Sequence, residues 1–170
     1  EQAILTVIAN AQTKTYGEPD AVLSYTVAGL KNNDQETSIT GVLVRDNGEE
    51  VGSYTIHQGT IQASTNYTLA FQSANLTIIP ALLTIQAEAK TKVYGDADPV
   101  LTYTVSGLKN NDQTNILTGI LTRDNGEDVG FYSINQGNIQ ASTNYTLAFQ
   151  PANLTIIPAL LTIQAEAKTK

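Results

Sequence analysis

Apolar and polar residues alternate with a period of two along most of this chain. In Leu83-Thr84-Ile85-Gln86-Ala87-Glu88-Ala89-Lys90 every odd position is apolar and every even one polar. That is the pattern of a strand with one buried and one wet face. The next run sets Leu101, Tyr103 and Val105 against Thr102, Thr104 and Ser106. Later, Tyr132 and Ile134 alternate with Phe131 and Ser133, and Tyr145, Leu147 and Phe149 alternate with Asn144, Thr146 and Ala148. The pattern predicts half-buried strands of an antiparallel sheet. Its phase slips between Phe149 and Leu154, which predicts a bulge or tight turn at Gln150-Pro151-Ala152-Asn153.

Turn residues separate these runs. Asp124-Asn125-Gly126 and Asp46-Asn47-Gly48 lie between apolar stretches and read as hairpin turns, because Asn and Gly accept positive φ. Tyr94-Gly95-Asp96-Ala97-Asp98-Pro99 and Gln136-Gly137-Asn138 are further turns. Lys109–Gly119 does not alternate. With Asn or Asp to cap its start, Gly119 to end it and Leu117 turned inward, it predicts a short helix of two turns at most.

The chain is one unit written twice. Displaced by 78 residues, Ala3–Pro80 aligns without gaps on Ala81–Pro158; 23 of the 78 positions differ, leaving 55 identical. Ala159–Lys170 then repeats Ala81–Lys92 letter for letter. A fixed long period marks an array of similar modules, so the expected organisation is 1–80, 81–158 and the start of a third unit at 159–170. No difference falls on glycine or tyrosine, whereas polar positions vary, as in Glu36-Thr37-Ser38 against Thr114-Asn115-Ile116. The units share a scaffold and differ at the surface.

A unit this small buries only about 60 % of the surface its unfolded chain exposes. Stacking on a neighbour would supply extra burial. The junction Thr77–Ile85 has no glycine or serine spacer, so adjacent units are expected to be held close in a fairly rigid rod. Leu82–Ala89 fits either as the opening strand of the second unit or as the closing strand of the first. By the same reasoning Leu160, Leu161 and Ile163 begin a strand expected to pad the preceding unit or to pair with another molecule.

Composition narrows the chemistry. Sixteen acidic against nine basic residues give a net charge of −7, unsuited to nucleic acid, whose binding rests on cationic side chains. No run of about 20 apolar residues is present to span a bilayer as a helix. There is no cysteine, hence no disulfide or thiolate chemistry. The absence of methionine, position 1 included, is expected of a piece cut from a longer chain or of a processed one.

Candidate chemistry is sparse. His57, the only histidine, faces Asn135 in the other copy and shares strand parity with Ser53 and Thr55, so it reads as a surface residue. The carboxylate pairs Glu18/Asp20 and Asp96/Asp98 lie in a turn beside proline, where acidic residues serve local hydrogen bonding. Asp124-Asn125-Gly126-Glu127-Asp128 concentrates oxygen ligands but lacks the spacing of a calcium-binding helix–loop–helix. A Lys–Asn crosslink needs a buried lysine, and no lysine sits at an apolar strand position. The outward threonines Thr102, Thr104 and Thr146 are good strand residues. Phe131, which replaces Ser53 on the wet face, offers a ring for stacking on a sugar or covering a neighbouring repeat. Asn66, Asn75, Asn144 and Asn153 each begin an Asn-x-Thr sequon. No catalytic residue, metal or cofactor is expected, and no binding residue is assigned.

Several spaced elements agree with a known module. These are Tyr94-Gly95-Asp96-Ala97-Asp98-Pro99, Leu101-Thr102-Tyr103-Thr104-Val105, Gly107-Leu108, Thr118–Arg123, Gly126–Ile134, Asn144-Tyr145-Thr146-Leu147 and Ala152–Ile156. In the first copy Tyr16-Gly17-Glu18, Gly48–Tyr54 and Asn66–Leu69 match them. The sequence resembles the MBG domain of the YGX type, found in tandem in large bacterial surface and secreted adhesins. The family often has Asn before the Val-Gly pair, where this chain has Glu50 and Asp128. The resemblance implies an extracellular location, a role in adhesion, and host glycans or mucin as possible partners beside the neighbouring repeats. The expected fold is mainly β, an antiparallel sheet about one short helix in the manner of a β-grasp, with an immunoglobulin-like sandwich as the alternative. The expected function is a non-catalytic stalk that projects a binding domain, with a multivalent glycan-binding module as the alternative.

Overall fold

A computed structural model describes residues 2–170. They form two compact units. One comprises residues 2–81 together with Thr143–Thr146; the other comprises Leu82–Ser142 and Leu147–Lys170.

The first nine strands are β1 (Ala3–Ala9), β2 (Gln12–Thr15), β3 (Tyr25–Ala28), β4 (Ile39–Thr40), β5 (Val44–Arg45), β6 (Gly52–His57), β7 (Gln62–Ala63), β8 (Tyr67–Gln72) and β9 (Ala74–Ile79). They build a three-stranded sheet in the order β3-β1-β8, a four-stranded sheet β2-β9-β6-β5, and the pair β4-β7. The next nine repeat the set: β10 (Ala81–Ala87), β11 (Lys90–Val93), β12 (Tyr103–Ser106), β13 (Leu117–Thr118), β14 (Thr122–Arg123), β15 (Gly130–Asn135), β16 (Gln140–Ala141), β17 (Tyr145–Gln150) and β18 (Ala152–Ile157). Their sheets are β12-β10-β17, β11-β18-β15-β14 and β13-β16.

Both larger sheets feed one core. Ile85 and Ala87 on β10 pack with Ile134 on β15, Leu154 on β18, and Leu121 and Ile139 from the loops. In the first unit Leu5, Val7, Ile56, Leu76 and Ile78 are fully buried. Alternation located these strands well: along β10, Ala81, Leu83, Ile85 and Ala87 are buried and the residues between them are not. The phase slip at Gln150–Asn153 is where the chain leaves one sheet, at the end of β17, and enters the other at β18. β10 pairs with β12 in register Ile85↔Val105, so Leu82–Ala89 opens the second unit.

Three expectations are corrected. The sheets are mixed, not antiparallel. β1 runs parallel to β8, β2 to β9 and β11 to β18. The alternation of side chains fixes which face is buried, but it carries no information on the direction of the partner strand.

The short helix does not form. Over Lys109–Gly119 there is only a three-residue 3-10 turn, Thr114–Ile116, matched by Glu36–Ser38. No side chain caps either. Asn110 and Asn111 take φ of 51° and 61°, and the Asp112 amide bonds the Lys109 carbonyl at 2.8 Å. Two consecutive left-handed residues make a turn and cannot begin a right-handed helix. Leu117, only half-buried, starts β13 instead. Among the described residues the helix expected of a β-grasp is therefore absent, and the units are mainly β.

The third correction concerns the end of the chain. Residues 158–170 carry no strand, with Leu160, Leu161 and Ile163 each more than four-fifths exposed. They do not pad the preceding unit.

Candidate functional site

Each unit holds a four-member charge cluster. Lys14 occupies the inward position of β2, opposite Ile78 of β9, and its side chain is 6 % exposed. Its aliphatic stem fills apolar space while the ammonium reaches the rim of the sheet. There Nζ lies 2.6 Å from Asp20 Oδ1 and 2.5 Å from Glu49 Oε2. Arg45, on β5, joins the same carboxylates: Nε donates to Asp20 Oδ2 at 2.6 Å and Nη2 to Glu49 Oε1 at 2.5 Å. The second unit repeats the cluster as Lys92, Asp98, Arg123 and Glu127, with Lys92 at 2.7 Å from Asp98 and 2.5 Å from Glu127.

Local sequence brings these groups together. Gly17, at φ 81°, turns the chain after β2; Glu18 closes the turn by accepting from the Thr15 amide at 3.1 Å, which delivers Asp20 beside Lys14. The loop after β5 wraps the guanidinium. Arg45 Nη1 donates to the carbonyls of Asp46 and Gly48 at 2.8 and 2.7 Å, and the plane stacks 5.3 Å from the centre of the Tyr54 ring. Arg123, Gly126 and Tyr132 do the same in the second unit. The segment expected to be a tight Asn-Gly hairpin is thus a longer loop built round an arginine. Gly126 has no side chain because the Tyr132 ring occupies that space: an added Cβ would lie 2.1 Å from its Cε1.

The electrostatics are those of a lock. The Arg45 fork, with Lys14 behind it, holds the Asp20 carboxyl at a pKa of about 2, and Arg123 and Lys92 do the same for Asp98. Burial works against the charge on Lys14, but hydrogen bonds to Asp20 and Glu49 outweigh it and raise the pKa. Two cations face two anions, so each cluster is neutral in sum. A lysine nucleophile needs its amine unprotonated near neutral pH, and this arrangement does the reverse.

The expectation that no lysine would be buried in a strand is therefore wrong, for Lys14 and Lys92 both are. Their partners are ionised carboxylates, not asparagine, which leaves the crosslink without its reactants. The Glu18/Asp20 and Asp96/Asp98 pairs are divided, with Asp20 and Asp98 inside the clusters. One signal for the clusters was present in the sequence. Lys14, Asp20, Arg45 and Glu49 recur unchanged 78 residues on, although Gln12, Glu18 and Glu50 beside them do not.

The remaining candidates are accounted for by their neighbours. His57 is half exposed, with Nε2 2.8 Å from Asp46 Oδ1. Asn135, its counterpart, donates to Asp124 Oδ1 at the same distance. An amide that reproduces the bond marks the position as a hydrogen-bond donor. In the acidic loop, Asp124 binds Asn135 and Glu127 binds Lys92 and Arg123. Among the described residues no group of three His, Cys, Asp or Glu is placed to hold a metal. Thr102 donates to Glu88, while Thr104 and Thr146 are exposed. Phe131 is 76 % exposed and stands opposite Thr155 on the wet face of its sheet. Asn66, Asn75 and Asn153 are exposed and Asn144 is buried.

One cleft lies apart from the clusters. It measures about 550 Å³ and is lined by Gln2, Lys31, Asp34, Thr65, Asn66 and Tyr67 among others. The Tyr67 hydroxyl donates to Asp34 Oδ2 at 2.7 Å and accepts from the Lys31 amide at 2.9 Å, and the carboxylate beside it raises the phenol pKa. Of the groups lining the cleft, the Tyr67 hydroxyl, the Asp34 carboxylate and the Gln2 amide are already engaged with the fold.

A repeated, mixed-sheet module with one four-member charge cluster in each unit is the class these features define. Residues 5–77 and 83–155 each match the MBG domain (YGX type), and the chain belongs to that family, with two tandem copies. No curated protein matches the chain.

Proposed function

We propose that this chain is a non-catalytic segment of a bacterial extracellular adhesin, in which MBG units form a stalk carrying a binding domain away from the cell. The observation that carries this reading is that each unit has its own buried apolar residues and pairs its buried lysine with carboxylates of the same unit, as a structural repeat would. Length in such a protein changes by whole units, because each repeat is a complete supersecondary assembly. No helix of the described residues is long and apolar enough to cross a membrane.

A second reading, a glycan- or mucin-binding module, is favoured by Phe131, an aromatic ring exposed beside Thr155 and Ser133. Weak sites of this kind gain strength by repetition. Glycan and mucin arrays probed with the chain separate the two readings. Silence supports the stalk; saturable binding abolished by Phe131→Ser supports the binding module and overturns the first.

A further inference from the structure

Two peptides of this chain join asparagine to glycine, Asn47-Gly48 and Asn125-Gly126, at the same place in the two units. Both lie in the loop that wraps the cluster arginine. Arg45 Nη1 grips the carbonyls of Asp46 and Gly48, and Arg123 Nη1 those of Asp124 and Gly126. The peptide between the two gripped carbonyls is left alone. Among the described residues neither the Asn47 carbonyl nor the Gly48 amide takes a hydrogen bond, and the same holds at Asn125 and Gly126. One peptide of an otherwise pinned loop is thus free to turn.

The fold makes no use of these two asparagines. Asn47 and Asn125 are exposed, and their side chains bond nothing among the described residues. Neither takes the positive φ found at Asn32, Asn33, Asn110 and Asn111. The glycines, by contrast, are required. A Cβ at Gly48 would lie 2.2 Å from Cε1 of the Tyr54 ring. The steric demand that fixes glycine here also leaves its amide nitrogen unshielded by any side chain. Elsewhere Asn10 donates to Ser24, Asn135 to Asp124, and Asn138 accepts from the Ile120 amide; none of these precedes a glycine.

We propose that Asn47 and Asn125 are sites of spontaneous deamidation, one in each unit. Asparagine is among the thermolabile side chains, and here the attacking group is already uncovered. The Gly48 amide nitrogen, giving up its proton, attacks Asn47 Cγ. The new N–Cγ bond closes a cyclic imide, and the side-chain nitrogen leaves with that proton as ammonia. Water then opens the ring. Addition at Cγ gives aspartate; addition at the main-chain carbonyl gives isoaspartate, whose backbone is one methylene longer. Each event adds one negative charge. Isoaspartate also lengthens the chain between two carbonyls held by a single guanidinium nitrogen, so Arg45 or Arg123 loses one of them.

Ageing the whole folded chain at neutral and at mildly alkaline pH, with peptide mapping that separates isoaspartate from aspartate, tests this. Asn47 and Asn125 convert before any other asparagine, and faster at the higher pH because the attacking nitrogen must be deprotonated. Asn47→Gln with Asn125→Gln abolishes the early release of ammonia and leaves the circular dichroism unchanged. Isoaspartate-containing chains unfold at lower urea than the Asn47→Asp, Asn125→Asp variant, which carries the same charge on a backbone of normal length. Conversion that occurs only in unfolding urea, or that proceeds equally at the other asparagines, overturns the proposal. An equal urea midpoint for the isoaspartate chains and the aspartate variant overturns the loosening of the arginine grip.

Discussion

Lys14 Nζ lies 2.5 Å from a carboxylate oxygen of Glu49, 35 positions further along the chain, at the end of a side chain only 6 % exposed. The pair ties β2, at one edge of its sheet, to the loop leaving β5 at the other. Asp20 and Arg45 complete the tie. Removing one member of such a cluster leaves the others short of a partner, which costs more than the intact pair contributes over an apolar substitute.

Lys14→Met therefore destabilises the first unit by about 2 kcal/mol, less than a fully buried pair would lose because Glu49 and Asp20 retain water. Urea denaturation measures it. Replacing Lys14 and Glu49 together, as Met and Gln, loses less than the sum of the two single changes, since the two residues share one network. Additive losses would show that they act separately.

Asp20 and Asp98 give the chain an acid limb. Their folded pKa values, about 2, lie below the ordinary 3.8. A depressed carboxylate pKa stabilises the fold above the unfolded value and loses that contribution as pH falls through the folded one. The urea midpoint thus declines between about pH 4 and pH 2. Asp20→Asn with Asp98→Asn lowers stability at pH 6 and flattens the decline; an unchanged slope would assign the acid limb to other carboxylates.

Gly126 and Gly130 separate two roles of glycine in the arginine loop. At Gly126, with φ at 146°, an added methyl meets the Tyr132 ring at 2.1 Å; at Gly130 the nearest neighbour is the same ring at 4.0 Å. Gly126→Ala costs at least about 2 kcal/mol, and Gly130→Ala stays within about 0.5 kcal/mol. Thermal unfolding of the two variants gives the comparison, and equal losses would remove Tyr132 as the reason for Gly126.

Asn111 distinguishes the observed turn from a helix. With φ at 61°, Asn111→Val places a β-branched residue in the left-handed region and destabilises by about 1–2 kcal/mol. Asn111→Gly is tolerated. In a helix the order would be reversed, since glycine is the poorer helix former of the two.

Ile134, fully buried between the sheets of the second unit, gives the reference for core loss. Ile134→Ala costs about 3 kcal/mol through lost burial and an imperfectly refilled cavity. Denaturation at constant m-value checks it.

Much of the fold was legible before any coordinates. Leu83, Ile85 and Ala87 announced a buried strand face because side chains alternate across a pleat. The slip at Gln150–Asn153 announced a bulge or tight turn, since an odd residue inverts the faces; that the chain changes sheet there is seen only in the structure. The helix expected over Lys109–Gly119 gives way to a turn because Asn110 and Asn111, adjacent and both tolerant of positive φ, take the left-handed conformation. The charge clusters stayed hidden because Lys14 and Lys92 look like ordinary polar residues in short strands, and their partners are six and 35 residues away.

The order of residues alone determined the period of 78, the strands, the turns and the lack of cysteine chemistry, because these depend on local spacing and side-chain type. Only the tertiary structure decided that strands β1 and β8 run parallel, that two lysines are buried, and that the acidic loop folds round an arginine. Those outcomes depend on which distant segments meet. A period-two pattern marks the face that turns inward, and it is silent on the neighbour that will be found there.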